Sequence, residues 1–204
     1  MVTLLIIGIT VLVSISAMDN DSLRNKLMFN AYMINHKKEW YRFFSNGLIH
    51  ADWMHLGFNM LSLYMFGRGV EDGYMTIFGA KGILFFILLY IGGLIMSSVY
   101  SYEKNKNNIY YNALGASGAV SSVIFSYIIL APTAKLSIMF IPIPGGISAW
   151  IFGGIYLGIE YYLSKRGQSN IGHDAHFWGA IFGILFTILL KPSLFSRFID
   201  KITG

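Results

Sequence analysis

The chain has 204 residues, 55% of them hydrophobic and 12% charged. That is about half the charged share of an average soluble domain, and a water-soluble fold could not hide so much apolar surface. The net charge is +5, but the basic residues are scattered through loops with no basic stripe on an amphipathic helix, which argues against a nucleic-acid partner. With no cysteine, disulfides, thiolate catalysis and thiolate metal sites are excluded.

The apolar residues fall into runs of about 16 to 19, the length that crosses a hydrocarbon core. Six such runs predict an all-α polytopic membrane protein. The first covers 2–17. Its end, Ser14-Ile15-Ser16-Ala17, has a faint likeness to a signal-peptide cleavage site, but no Lys or Arg precedes the run, and it reads as a retained span. Residues 18–53 read as a polar interfacial loop, in which Trp40, Tyr41 and Arg42 suit the lipid headgroup layer. The second span covers 54–70 and the third 82–100, with Glu71, Asp72 and Lys81 marking the turn between them. The fourth, 113–131, stops at Pro132. Lys135 and the breaker Pro142-Ile143-Pro144-Gly145-Gly146 lead into the fifth, 147–163. The sixth covers 175–190 and is capped by Lys191 and Pro192. Residues 1–204 thus form a single domain in the lipid bilayer, without the internal repeat of many transporters. Gly154 with Gly158, and Gly179 with Gly183, have the spacing that lets helices approach closely.

Polar groups inside spans are costly and are therefore functional candidates. All ten Asp and Glu fall in loops or at span ends, Glu160 near the exit of the fifth span being closest to an exception. A buried carboxylate pair of the aspartyl-protease kind is thus not expected, and the His-Glu-x-x-His zinc helix is absent. Histidine, asparagine and serine remain. His55 and Asn59, four residues apart, project from one face of the second span. Ser117 sits in Gly115-Ala116-Ser117-Gly118 at the start of the fourth span, where the flanking glycines leave its hydroxyl open to close approach. His176, in His173-Asp174-Ala175-His176, opens the sixth. Spans two, four and six run in the same direction, so the three clusters share a membrane face. Helix N-termini there offer free N–H groups and positive dipole ends to an oxyanion, beside a serine hydroxyl and a histidine base.

Asp174 is two residues from His176, about 200° around a helix, and so faces away as an N-cap or first-turn acid. Each cluster also has a plain reading. Ser117 can bond back to a carbonyl one turn earlier, and His55 with Asn59 can hold two helices together. His50, His55, His173 and His176 could gather round a metal ion, but no carboxylate or thiolate completes a ligand set. Neither a metal nor a cofactor is expected.

Trp40-Tyr41-Arg42, His50-x4-His55-x3-Asn59, Gly115-Ala116-Ser117-Gly118 and Ala175-His176-x2-Gly179-x3-Gly183 occur in that order along the six runs. In this the chain resembles the rhomboid intramembrane serine proteases of the bacterial six-span type. The resemblance implies Ser117 as nucleophile and His176 as its base, in a dyad with no acid partner. It implies His55, Asn59 and the Ser117 backbone N–H as oxyanion donors, with Gly115, Gly118, His50, Trp40 and Arg42 in support. The implied substrate is a single-pass transmembrane protein whose helix unwinds near small residues. A catalytically silent rhomboid-like protein that binds membrane clients, and a histidine-lined metal transporter, are the alternatives. The family orientation places the N-terminus in the cytoplasm of a cell membrane and the site toward the outer face. The Lys and Arg positions run against it, six on the inner side and nine on the outer. Oligomeric state is not legible in the residues.

Overall fold

A computed structural model of the chain describes residues 1–137, 144–166 and 172–204. Pro142 and Ile143 of the expected breaker lie outside the described residues. The long helices are α1 (Val2–Met18), α5 (Trp53–Phe78), α6 (Lys81–Asn105), α7 (Ser117–Leu130), α8 (Ala149–Arg166) and α9 (His173–Leu190). Between α1 and α5 come α2 (Asp21–Leu27), α3 (Ala31–Lys37), α4 (Arg42–Ser45) and a 3₁₀ turn at Asn46–Leu48, and α10 (Ser193–Thr203) follows α9. A two-residue antiparallel pairing joins β1 (Lys135–Leu136) to β2 (Ile147–Ser148). The fold is all-α, as expected. Among the described residues, α6 and α9 are the two helices long and apolar enough to cross a membrane, and α1 and α7 are shorter apolar helices.

α7 is buried on nearly every side, as befits a helix that is apolar all round. It packs alongside α9 with backbones almost touching. A Cβ added at Gly179 would lie 2.1 Å from the Gly118 carbonyl oxygen, and one at Gly183 would lie 2.1 Å from that of Ser122. One turn further on, Thr187 donates to Ser126 over 2.8 Å, and Tyr74 of α5 joins both hydroxyls at 2.8 and 2.9 Å. The pairs 118/179, 122/183 and 126/187 advance together, so the two helices run parallel. Gly154 and Gly158 behave otherwise, because nothing approaches within 4 Å of a Cβ at either. Identical spacing is used at one helix contact and left open at the other.

Three boundaries differ from expectation. Glu71 does not mark a turn; it lies inside α5, 3% exposed. Its carboxylate accepts from the backbone N–H groups of Val2 (2.7 Å) and Thr3 (3.0 Å) and from the Thr3 hydroxyl (2.7 Å). The positive end of α1 thus compensates a buried charge, and α5 continues until Gly79 takes a left-handed φ of 60°. At the fourth span, residues 113–116 are not helical. Ala113 pairs with Phe29 in an isolated bridge, Gly115 donates to Asn46 O over 2.9 Å, and α7 starts at Ser117 itself. Finally, residues 18–53 are folded: Asn20 and Asn30 cap α2 and α3, and Phe29, Ile34 and Phe43 form a second small core against Tyr102 and Tyr111.

Candidate active site

Ser117 is the first residue of α7. The N–H groups of Ser117, Gly118 and Ala119 precede the first helical hydrogen bond, made by Val120 to Ala116 O over 2.9 Å, so they remain available to a negative oxygen. The approach to Ser117 is built by Gly115, whose φ of 120° is open to glycine and strained for any other residue. A Cβ there would also strike the His55 ring, 2.6 Å from Cε1 and 2.8 Å from Nε2. The Cε1–Nε2 edge of His55 therefore lies against the turn that delivers the serine.

His50 braces the same turn from behind. Its Nε2 accepts from Ala116 N–H at 3.3 Å, so Nδ1 carries the hydrogen and donates to Ser14 Oγ at 2.9 Å. The Ser14 hydroxyl donates onward to Leu48 O at 3.1 Å. Burial, and after it the neighbouring His55, pushes His50 from 6.5 down to about 4, so it stays neutral. Asn59 is buried on α5 and spends one amide hydrogen on His55 O, 2.9 Å away.

The α7–α9 register sets His176, in the first turn of α9, beside the start of α7. A Cβ at Gly118 would lie 3.4 Å from Ala175 O, so the residue before His176 meets the residue after Ser117. Ser117, His176, His55, Gly115 and Gly118 thus gather at one end of the bundle. His176 Nδ1 faces the Glu160 carboxylate at 3.1 Å, and His173 Nδ1 faces its other oxygen at 2.6 Å. Asp174 turns aside, bonded to Ser164 and 3.8 Å from Lys104. As α9 begins at His173, Asp174 is a first-turn acid and not its N-cap.

Glu160 is the residue that the sequence reading left out. The signal was present, since Glu160 falls inside the run 147–163 near its exit, but only packing of α8 on α9 gives it a partner. Glu160, His173 and His176 each bring a ligand-type atom within 4.8 Å of the others. Among the described residues, this set, and not the four histidines, is the one that could hold an ion.

Arg42 and Trp40 part company. Trp40 is 52% exposed and stacks on Phe43, which fits a headgroup-facing ring. Arg42 is only 5% exposed. It donates to the carbonyls of Asn25 (2.9 Å) and Met28 (2.6 Å) and to Glu39 (2.5 Å), so it ties the connecting segment together and does not reach lipid. Asn46, which receives Gly115 N–H on its carbonyl, donates its own amide to Arg42 O at 2.6 Å. Arg42 thus supports the serine turn at one remove.

An all-α bundle with a serine and a histidine at the starts of two parallel, touching helices has the parts of a serine hydrolase. Residues 37–193 match the family model described as the Rhomboid domain, and the chain belongs to the rhomboid family, whose members are embedded in membranes. It is 31% identical over 140 residues to "Rhomboid protein 1, mitochondrial" of Saccharomyces cerevisiae, covering 67% of this chain and 38% of that protein. It is 29% identical over 175 residues to "RHOMBOID-like protein 12, mitochondrial" of Arabidopsis thaliana, covering 76% and 49%. "Rhomboid protease AarA" of Providencia stuartii is 25% identical over 178 residues, covering 80% and 61%. The chain therefore spans less than two thirds of each of these relatives. They include mitochondrial and bacterial proteins, so family membership does not single out a bacterial type.

Proposed function

We propose that the protein is an intramembrane serine endopeptidase that cleaves the transmembrane segments of single-pass membrane proteins. The observation that supports this reading is the α7–α9 register, which brings the helix turn that begins with Ser117 against the turn that carries His176, with Gly118 facing Ala175 O and the His55 ring against Gly115. The His176 nitrogen that faces Glu160 is Nδ1, which leaves Nε2 for the serine. In the proposed reaction the Ser117 hydroxyl gives its proton to Nε2 as Oγ bonds to the substrate carbonyl carbon. The carbonyl oxygen, now negative, is met by the Ser117 N–H with His55 and Asn59. The carbon–nitrogen bond then breaks, and His176 returns the proton to the leaving amine. Water repeats the sequence to release the acyl group, and no cofactor is needed.

In this reading α1, α5, α6, α7, α8 and α9 are the six spans of a multi-pass protein of a cell membrane. The N-terminus lies on the cytoplasmic side, and Trp40 lies at the interface. The word "protease" in the name of the Providencia relative supports the activity. A serine-reactive fluorophosphonate tests it: the purified chain labels and cleaves a model transmembrane substrate, whereas Ser117→Ala inserts, stays folded and does neither. Cleavage by Ser117→Ala at the unaltered rate would remove the nucleophile from the scheme. A folded chain that binds substrate but neither labels nor cleaves would instead be a silent client-binding relative.

A further inference from the structure

The carboxylate of Glu160 stands where a dyad has nothing. It comes from α8, one of the six proposed spans, and is 8% exposed; an ionisable side chain inside a span is expensive and therefore a functional candidate. Both of its oxygens are engaged on the first turn of α9. Oε1 faces His176 Nδ1 at 3.1 Å and Oε2 faces His173 Nδ1 at 2.6 Å. The two rings sit nearly perpendicular, 6.2 Å apart, so one carboxylate bridges them without either ring shielding the other. Among the described residues, the other charged groups of this end of the bundle have partners of their own. Asp174 is held by Ser164 and Lys104, and Glu103 pairs with Lys106 at 2.6 Å. On the α7 side, Ser121 bonds to Tyr156 at 3.0 Å. His55, whose ring lies against Gly115 beside the Ser117 turn, faces the same end of the bundle from α5.

We infer that Glu160 is a positioning residue for His176, completing a Ser117–His176–Glu160 arrangement in which His173 clamps the carboxylate. The inference rests on the proposed hydrolase reading. A carboxylate that accepts from Nδ1 selects the tautomer whose Nε2 lone pair is free for the serine proton. It also stabilises the imidazolium that forms once that proton has moved. His173 holds the second oxygen, so the carboxylate cannot rotate away while His176 is charged. Because each oxygen already has a hydrogen-bond donor, the cluster is complete without an ion, which favours the positioning role over metal binding.

Glu160→Gln is the discriminating variant because it keeps size and shape. Its amide oxygen can serve only one ring; with the oxygen kept by His173, the NH₂ faces His176 Nδ1 and drives the proton onto Nε2, the wrong tautomer. For the purified full chain in proteoliposomes, kcat falls about 10- to 100-fold, the range for losing one hydrogen bond to a charged group, while KM and the melting midpoint stay at wild-type values. Fluorophosphonate labelling of Ser117 slows by the same factor. Wild-type kcat and labelling in Glu160→Gln would overturn the inference, as would a fall confined to KM. So would a wild-type enzyme whose activity changes on chelation while that of Glu160→Gln does not, since the cluster would then hold a metal. If Glu160→Gln does not assemble, His173→Asn decides: severalfold slower labelling supports the clamp, and unchanged labelling refutes it. Failure of the hydrolase reading itself looks different, because the wild-type chain would then not label at all.

Discussion

Replacing Gly179 by alanine puts a methyl group where α7 and α9 touch. The new Cβ would sit 2.1 Å from the Gly118 carbonyl oxygen and 2.9 Å from its carbon. An unstrained carbon–oxygen approach is about 3.3–3.6 Å, so the helices must part by about 1 Å at that level. Overpacking of this kind costs about 1–3 kcal/mol, which for a chain of this size lowers the melting midpoint by about 2–12 °C. The same displacement reaches His176, three residues earlier on α9, and a 1 Å misplacement of a reacting group costs about 100-fold in rate. The assay pairs thermal unfolding in detergent with single-turnover cleavage of a transmembrane substrate. Gly154→Ala is the control, because nothing lies within 4 Å of its Cβ; it should melt at or slightly above the wild-type midpoint and cleave normally. Wild-type behaviour of Gly179→Ala, or equal damage from Gly154→Ala, would show that close backbone approach is not what aligns serine and histidine.

His50 is held neutral, near 4 against an ordinary 6.5, so between these values the unfolded chain takes up a proton that the folded chain does not. Stability therefore falls as pH drops from 6.5 to 4, by at most about 3 kcal/mol; melting curves at pH 7 and 4.5 should differ accordingly, and by less in His50→Gln. Arg42→Ala strips three acceptors of their buried donor and should cost about 3 kcal/mol, with faster proteolysis within residues 19–48. A wild-type digestion pattern would contradict the tie assigned to Arg42. Asp174→Asn should keep activity within a few-fold of wild type, since Asp174 serves Ser164 and Lys104; a loss of several hundredfold would place it in the reaction instead.

Much of this protein is legible in its residues because the signals are local. Apolar run lengths and breakers come within a few positions of α1 and α9, whereas α5 runs on to Phe78, eight residues past the expected end. The expensive polar residues at the starts of apolar runs single out His55, Asn59, Ser117 and His176. Glu71 and Glu160 mark where that reading stops. After Val70 and Ile159, each looks like the end of a span, and whether it is depends on a partner 69 or 16 residues away in the chain. Arg42 looked like a headgroup anchor for the same reason, since its acceptors belong to a segment whose folding is not written in its hydropathy.

The four-residue glycine spacings make the same point, because Gly154 with Gly158 and Gly179 with Gly183 are indistinguishable as a pattern. Only the second pair meets another backbone. Sequence alone determined the helical class and the family, and named the residues proposed for the site, because periodicity and residue type act over a turn or a span. The tertiary structure alone decided which carboxylate faces His176, which glycines carry a helix contact and what Arg42 holds. These depend on which helix faces are brought together, and hydrogen bonds and close packing act only at the distances that this assembly creates.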